Sequence, residues 1–406
     1  MKILILTQWF NPEPDFKGLP FAKELVRQGH QVQVLTGFPN YPEGKLYPGY
    51  RIKPFQFEVI EGISVIRVAL YPSHDGSAIR RIMNYVSFGL SASILGPFLI
   101  KQADIVYAYH APATTALPAM MLKVLRGIPF IYDINDLWPD SLVASNMLRN
   151  RFILKCVDIW CNLAYRMASH IVVVAPGTKS KLVARGVSAL KIDVIYNWCD
   201  EMQRQLSDTM VSARELGFSG KFNIVFAGTM GIVQGLDAIL DAAKIVARQQ
   251  PLIQFVFIGA GVDVERLKLR LTNENIKNCL FLSRRPVSEI GMILELADVL
   301  LVHLQDKPLF KITIPSKTAA YMAVGKPILM AVSGDAADLV RLANAGICCE
   351  PESSAEIANA VFKFYAMTDS QRKEMGLNGQ QFYEREISIK AGVERFESLF
   401  RQVIEA

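Results

Sequence analysis

Two lysines and a Ser-Lys-Thr run lie close together between Pro308 and Pro327, in PLFKITIPSKTAAYMAVGKP. Ile314-Pro315 breaks the chain, Ser316 has the side chain of a helix cap, and a helix-forming stretch follows. A helix start presents backbone N–H groups without partners and the positive end of the helix dipole, so it attracts anions. With Lys311 and Lys317 adding full charge, the turn Pro315, Ser316, Lys317, Thr318 suits a phosphate or diphosphate. Read alone, Pro-Ser-Lys fits a capped helix with solvated lysines better than an anion site. The context favours the anion site, because Ala323-Val324-Gly325-Lys326-Pro327 follows at one helix length and leads into the apolar run Ile328 to Val332.

Other loops carry chemistry of a matching kind. Pro14-Asp15-Phe16-Lys17-Gly18 follows the first apolar run, where Gly18 would let backbone approach a ligand and Lys17 could reach outward. Asp133, Asn135, Asp136 and Trp138 follow Phe130 to Ile134, bringing carboxylates and an aromatic face suited to sugar hydroxyls. Asp136 and Trp138 can equally be loop anchors. Gly259-Ala260-Gly261 lacks the third glycine and the later acidic residue of a dinucleotide fingerprint, so that reading is set aside. The chain has no Asp-x-Asp pair to hold a divalent cation under a diphosphate. Lysines and a helix dipole would take the metal's place, and no cofactor is expected. If the diphosphate is a leaving group, negative charge gathers on its oxygens in the transition state. Donors fixed around those oxygens then stabilise that state above the ground state.

The elements that position these loops read as an α/β protein. A chain of 406 residues exceeds one ordinary core and fits two domains. Apolar runs alternate with helical stretches, the pattern of parallel sheets covered on both faces. In the first half the strands are expected at Ile3 to Thr7, Gln31 to Thr36, Asp104 to Tyr109, Phe130 to Ile134, His170 to Val174 and Ile192 to Tyr196. A hairpin is expected at Phe55 to Val68, turning at Glu61-Gly62. In the second half they fall at Asn223 to Ala227, Phe255 to Gly259, Cys279 to Leu282, Val299 to Leu304 and Ile328 to Val332. The polar stretch Asn197 to Gly220 reads as a linker. The boundaries are residues 1–198 and 199–385, with an amphipathic tail helix over 386–406.

With 44 basic and 38 acidic residues the net charge is +6 and no long basic run occurs, which argues against nucleic acid and favours diffuse attraction to anionic lipid. The six cysteines, Cys348 and Cys349 among them, show neither disulfide nor metal spacing and suit a reducing cytoplasm. Met1-Lys2 runs straight into an apolar strand with no cleavage site, as in a protein without a signal peptide. Ile82 to Ile100 is free of charge and follows Arg80-Arg81, but Asn84, its serines and Pro97 make it polar for a membrane span. A partly buried domain helix, or one lying on a lipid surface, fits better.

These motifs, together with GHQVQVLTGFPNYPEGKLYPGYR at Gly29, NDLWPDS at Asn135, IYNWCD at Ile195, AGTMGIVQGLDAIL at Ala227 and GDAADLVRLANAGI at Gly334, resemble in order the GT-B glycosyltransferases of family 4. Within that family the likeness is to the WbuB-like group of bacterial polysaccharide enzymes. The resemblance implies two doubly wound Rossmann-like domains facing across a cleft, the first for the acceptor and the second for the sugar nucleotide. It implies donor contacts from Gly228, Thr229, Met230, Gly231, Arg284, Arg285, Pro315, Ser316 and Thr318. Lys311, Lys317 and Asp136 are the expected catalytic groups, and Asp15, Lys17, Gly18, Asn135 and Trp138 the expected acceptor contacts. It further implies retention of anomeric configuration, a UDP-sugar donor such as UDP-L-FucNAc, and an undecaprenyl diphosphate-linked saccharide acceptor for O-antigen or capsule. The cytoplasmic face of the inner membrane is the expected place of work. Two departures stand out. The glycine-rich loop lacks the usual Arg and Lys, and the family's two glutamates, eight positions apart, correspond here to Ile312 and Ala320. The shared architecture leaves room for an epimerase of the same fold, and the two departures for a subunit that binds nucleotide sugar without turnover.

Overall fold

The computed structural model describes residues 1–14, 17–74, 77–110, 112–144, 148, 150–200 and 212–406. The chain divides into two compact units, Met1–Tyr196 with Gly392–Ala406, and Asn197–Ala391.

In the first unit β1 (Lys2–Leu6), β2 (Gln31–Gly37), β3 (Phe55–Ile60), β4 (Ile63–Val68), β5 (Ile105–His110), β6 (Phe130–Ile134), β7 (His170–Val173) and β8 (Ile192–Val194) make one sheet ordered β3-β4-β2-β1-β5-β6-β7-β8. All pairings are parallel except β3 against β4. Every residue of β5, β6 and β7 is buried. That explains why those strands read as largely apolar runs, interrupted only by His110, Asp133 and His170, with helices on both faces. The expected hairpin is present and forms the sheet's edge. Its turn uses positive φ at Glu61 (45°) and Gly62 (85°), as a two-residue hairpin turn requires.

The second unit holds β9 (Phe222–Ala227), β10 (Ile253–Ile258), β11 (Cys279–Leu282), β12 (Val299–His303), β13 (Ile328–Ala331) and β14 (Gly346–Cys348) in the order β11-β10-β9-β12-β13-β14, all parallel. Its core joins Ile224, Phe226 and Phe255 of the sheet to Leu240 and Val246 of the Asp237–Gln249 helix and Phe364 of the Ser354–Ala366 helix.

In each sheet the strand order reverses at one place, between β1 and β5 and between β9 and β12. Loops leaving the carboxyl ends of strands at such a point splay apart and leave a crevice for ligand. The candidate loops that follow β1, β9 and β12 sit there; those after β6 and β11 lie one or two strands further out.

The last helix, Ile389–Glu405, returns to the first unit. Val393, Phe396, Leu399 and Phe400 form its buried stripe, and the Phe396 ring lies 5.3 Å from both Phe21 and Tyr107. Burying each such ring contributes roughly 1.5–3 kcal/mol, so this helix is part of the first unit's core.

The apolar segment after Arg80-Arg81 forms a 22-residue helix, Ala78–Leu99, which packs on the Ala116–Arg126 helix and on β2 and β4. Among the described residues it alone is long and apolar enough to cross a membrane by length and composition. Its outer face carries Ile82, Val86, Leu90, Ile94 and Phe98, all exposed, at four-residue spacing.

Candidate active site

The loop after β9 and the loop after β10 pass with backbone against backbone. Met230 donates its N–H to Ala260 O at 2.9 Å, and Asp263 donates to Met230 O at 3.2 Å. A Cβ on Gly259, whose φ is +144°, would stand 2.1 Å from Gly228 O, and one on Gly261 would stand 2.0 Å from Met230 O. Gly259 and Gly261 are therefore there for loop-to-loop packing. Met230 is a correction to the expected donor contacts: its side chain is wholly buried in the core and both its backbone groups are taken. Gly231 donates its N–H to Gln234 Oε1 at 2.9 Å. Gly228 and Thr229 remain exposed.

His303, at the end of β12, ties this loop down. Its Nε2 accepts from Glu352 N at 3.0 Å, which leaves the proton on Nδ1 to be donated to Gln234 O at 2.5 Å. Burial pushes its pKa below the usual histidine range, in keeping with this neutral tautomer. Gln305 N donates to Val233 O at 3.0 Å, and Gln305 Oε1 is buried without a hydrogen-bond partner.

The helix Ser316–Val324 starts where its sequence places it, but Ser316 is its first residue and not its cap. Pro315 takes the cap position, with no side-chain hydrogen bond. Thr318 N closes on Pro315 O at 2.9 Å, so two N–H groups, Ser316 and Lys317, are left at the mouth without an intrahelical partner. The two lysines part company. Lys311 is exposed and pairs with Asp306 at 3.0 Å. The Lys317 ammonium folds inward over the Phe226 ring, 3.4 Å from its centroid, and has no hydrogen-bond partner. A Cβ on Gly228 would stand 3.4 Å from Lys317 Nζ, so helix mouth and glycine loop share one place. Lys317 as a residue keeps some surface, but its charged atom has none, and desolvation lowers its pKa from 10.5 to about 7. Beside it, Thr318 Oγ1 is also buried and unpartnered. Arg284 and Arg285 follow β11 at the sheet's edge; Arg284 is exposed, and Arg285 lies 3.9 Å from Glu289 with its Nε unpartnered.

In the first unit Asp15 lies outside the described residues. Lys17 is a second correction, because it turns inward. Its Nζ pairs with Asp133 at 2.6 Å, both side chains are fully buried, and the Tyr109 and Phe396 rings flank it at 5.8 and 5.5 Å. Tyr107 donates to the same carboxylate at 2.5 Å, and Asn135 reaches its other oxygen at 3.5 Å. Asp133 is thus the hub of a buried network, and Lys17 neutralises it. Gly18 is buried at the start of the Leu19–Arg27 helix. Asp136 is exposed, and desolvation raises its pKa. Trp138 is half-buried, 5.8 Å from the His110 ring.

His110 is the residue the sequence reading passed over. It ends β5 at the reversal point, is fully buried, and has both ring nitrogens unpartnered. Burial lowers its pKa to about 3, so it is neutral at physiological pH. A histidine closing an otherwise apolar strand was the available signal. Glu13 is the other hidden group: it accepts from the N–H groups of Phe10, Asn40 and Tyr41 at 3.1, 2.8 and 2.8 Å, anchoring two loops. Among the described residues no cluster of three or more His, Cys, Asp or Glu is placed to hold a metal ion.

Residues 19–198 match the glycosyl transferase 4-like domain, and residues 211–382 match the glycosyl transferases group 1 domain. Over 374 residues the chain is 24% identical to WcaI of Escherichia coli K12, provisionally named a colanic acid biosynthesis glycosyl transferase, covering 87% of this chain and 89% of WcaI. WbjE of Pseudomonas aeruginosa, provisionally named a glycosyltransferase, is 24% identical over 269 residues, 64% of this chain and 66% of WbjE. Among solved structures, Anabaena HepE in complex with UDP-glucose matches with a TM-score of 0.69 at 17% identity, covering 99% of this chain and 100% of HepE. A trehalose-6-phosphate structure from E. coli bound with UDP-2-fluoro glucose matches with a TM-score of 0.74 at 12% identity, covering 99% of each chain. With one such domain in each half and the fold of these structures throughout, the chain belongs with the glycosyltransferases of the GT-B fold.

Proposed function

We propose that this glycosyltransferase is a retaining, family 4 enzyme of the WbuB-like group. It moves a sugar from a UDP donor onto a lipid-linked saccharide during assembly of a bacterial surface polysaccharide such as O-antigen or capsule. The observation that carries the donor side is the buried Lys317 ammonium. It has no hydrogen-bond partner and lies beside Gly228, at a helix mouth with two free N–H groups. A buried cation without an anion is costly to keep, and a diphosphate is the partner that such a mouth suits. The nucleotides in the names of the HepE and E. coli structures support UDP as the carrier, and the name of WcaI supports a polysaccharide product.

In the reaction the bond from the sugar's anomeric carbon to the β-phosphate oxygen breaks as the acceptor hydroxyl oxygen bonds to that carbon from the same face. The hydroxyl proton passes to the departing diphosphate oxygen. The Ser316 and Lys317 N–H groups and the Lys317 ammonium stabilise the charge that develops there, with Lys311 close by in sequence and Arg284 and Arg285 further along the sheet. Asp136, Asn135 and Trp138 receive the acceptor, and His110 offers its unpartnered nitrogens to a sugar hydroxyl. The transferred sugar in this reading is an N-acetylated 6-deoxyhexose such as L-FucNAc, and no divalent metal takes part. The enzyme works on the cytoplasmic face of the inner membrane.

The test is incubation of purified protein with radiolabelled UDP-sugars and bacterial lipid extract, with and without EDTA. Labelled lipid formed equally in both arms is the expected result. Free sugar or an epimer without acceptor would select the epimerase reading, and donor binding without product the non-catalytic one. Loss of turnover in EDTA would overturn metal independence.

A further inference from the structure

The first unit contains an apolar groove of about 360 Å³ between the Ala78–Leu99 and Arg151–Met167 helices. One wall is Ile82, Val86 and Leu90, the other Ile153, Val157 and Trp160, and Trp138 lines it as well. Its volume falls within the range of ligand sites. Soluble proteins seldom leave so continuous an apolar channel open without a use for it. The charge on its two helices is mainly positive, with Asp136 of the neighbouring loop as an acid near Tyr85 in its lining. Arg81 lines the groove with its Nε buried and without a hydrogen-bond partner. Arg80, Arg151 and Lys155 are exposed on the same two helices, and the Ala78–Leu99 helix has no acidic residue. The one acid on the Arg151–Met167 helix, Asp158, accepts from Asn162 at 3.2 Å. A long hydrocarbon chain ending in an anionic head is complementary to this arrangement. Trp138 connects the groove to the expected acceptor loop, since its ring also meets His110.

We propose that this groove holds the isoprenoid chain of the acceptor's lipid carrier, with Arg81 at the phosphate that joins chain to saccharide. The proposal rests on the lipid-linked acceptor of the reading above, and it locates the lipid within the first unit and not only in the surrounding bilayer. Val86 and Leu90 are 42% and 50% exposed, so polar replacements there leave the core intact. With the donor site saturated by UDP, binding of farnesyl diphosphate, followed by the fluorescence of Trp138 and Trp160, is expected to saturate. Farnesol and inorganic diphosphate should each bind at least tenfold more weakly. Val86→Gln with Leu90→Gln should weaken farnesyl diphosphate at least tenfold with UDP affinity unchanged, and Arg81→Gln should reduce it to the level of farnesol.

In transfer assays the double variant should raise KM at least tenfold for a lipid-linked acceptor and leave a short-chain, water-soluble acceptor unaffected. Equal losses on both acceptors, or inorganic diphosphate binding as well as farnesyl diphosphate, would overturn the groove assignment. So would loss of flotation with anionic vesicles while farnesyl diphosphate still binds, which would make this face a bilayer contact. If the wild-type protein ignores lipid-linked acceptors and serves only soluble ones, the lipid-acceptor reading itself falls. A wild-type protein active on lipid acceptors with an indifferent groove would sink this inference alone.

Discussion

Lys317 gives the sharpest test of the donor site. Desolvation holds its pKa near 7 in the empty protein, so above that pH the site greets a nucleotide with a neutral amine. A diphosphate brought against the amine restores an ionic partner and draws the pKa back towards 10.5. The distance between those values is worth roughly 5 kcal/mol at about 1.36 kcal/mol per pKa unit, an upper bound on the coupling. If the full return occurs, UDP affinity falls about fifty-fold between pH 7 and pH 9, and binding at pH 8 takes up about 0.9 proton. The β-phosphate's own titration lies near pH 6 by the usual second ionisation, outside this window. Isothermal titration calorimetry from pH 6.5 to 9, in two buffers of different ionisation heat, reads both quantities. Lys317→Met should flatten the profile and abolish the proton uptake. Stability should move the other way. A folded pKa below the unfolded value means that the unfolded chain binds more protons between 7 and 10.5, so the empty protein gains stability as pH rises through that window. Lys317→Met should accordingly raise the melting temperature below pH 7, where the burial cost is fully present. A wild-type UDP affinity independent of pH from 7 to 9 would refute the placement of this ammonium at the diphosphate.

Three further outcomes follow from the geometry. Lys17→Met leaves Asp133 buried and unpaired, so thermal unfolding should show a loss of about 3–5 kcal/mol; a stable variant that merely turns over slowly would mean that Lys17 serves a ligand after all. Gly259→Ala pushes a methyl group into Gly228 O at 2.1 Å and strains a φ of +144°, so UDP affinity should fall at least tenfold with an intact far-UV spectrum, and unchanged affinity would separate the glycine loop from the donor. His110→Leu removes two buried, unpartnered nitrogens and should leave the protein as stable or about 1–3 kcal/mol more so, while transfer drops at least tenfold; undiminished transfer would make His110 a packing residue.

Much of the architecture could be read from the residues because strands buried on both faces are mostly apolar, as β5 and β6 are apart from His110 and Asp133. β14 escaped because Gly346–Cys348 is three half-buried residues long and carries no such run. The mouth of the Ser316–Val324 helix was visible from Pro315 and from Gly325, whose φ of 76° ends that helix. Side-chain direction was not visible. Nothing local says that Lys17 turns inward, since its partner Asp133 lies 116 positions along the chain. Lys317 lies in the first turn of the Ser316–Val324 helix, but its burial depends on Phe226, a residue of β9. Met230 sits in a glycine-containing loop in sequence, and only the crossing of the loops after β9 and β10 sends it into the core.

The return of the Ile389–Glu405 helix has a consequence for how the molecule is made. Phe21 and Tyr107 leave the ribosome early, yet the rings that cover them, Phe396 and Phe400, are synthesised hundreds of residues later. At translation rates of about 5–20 residues per second the gap is on the order of tens of seconds, during which the oldest part of the nascent chain keeps an uncovered oily flank. A premature stop codon ahead of residue 396 would therefore be felt at the opposite end of the polypeptide, as a first domain that chaperones hold and proteases clear.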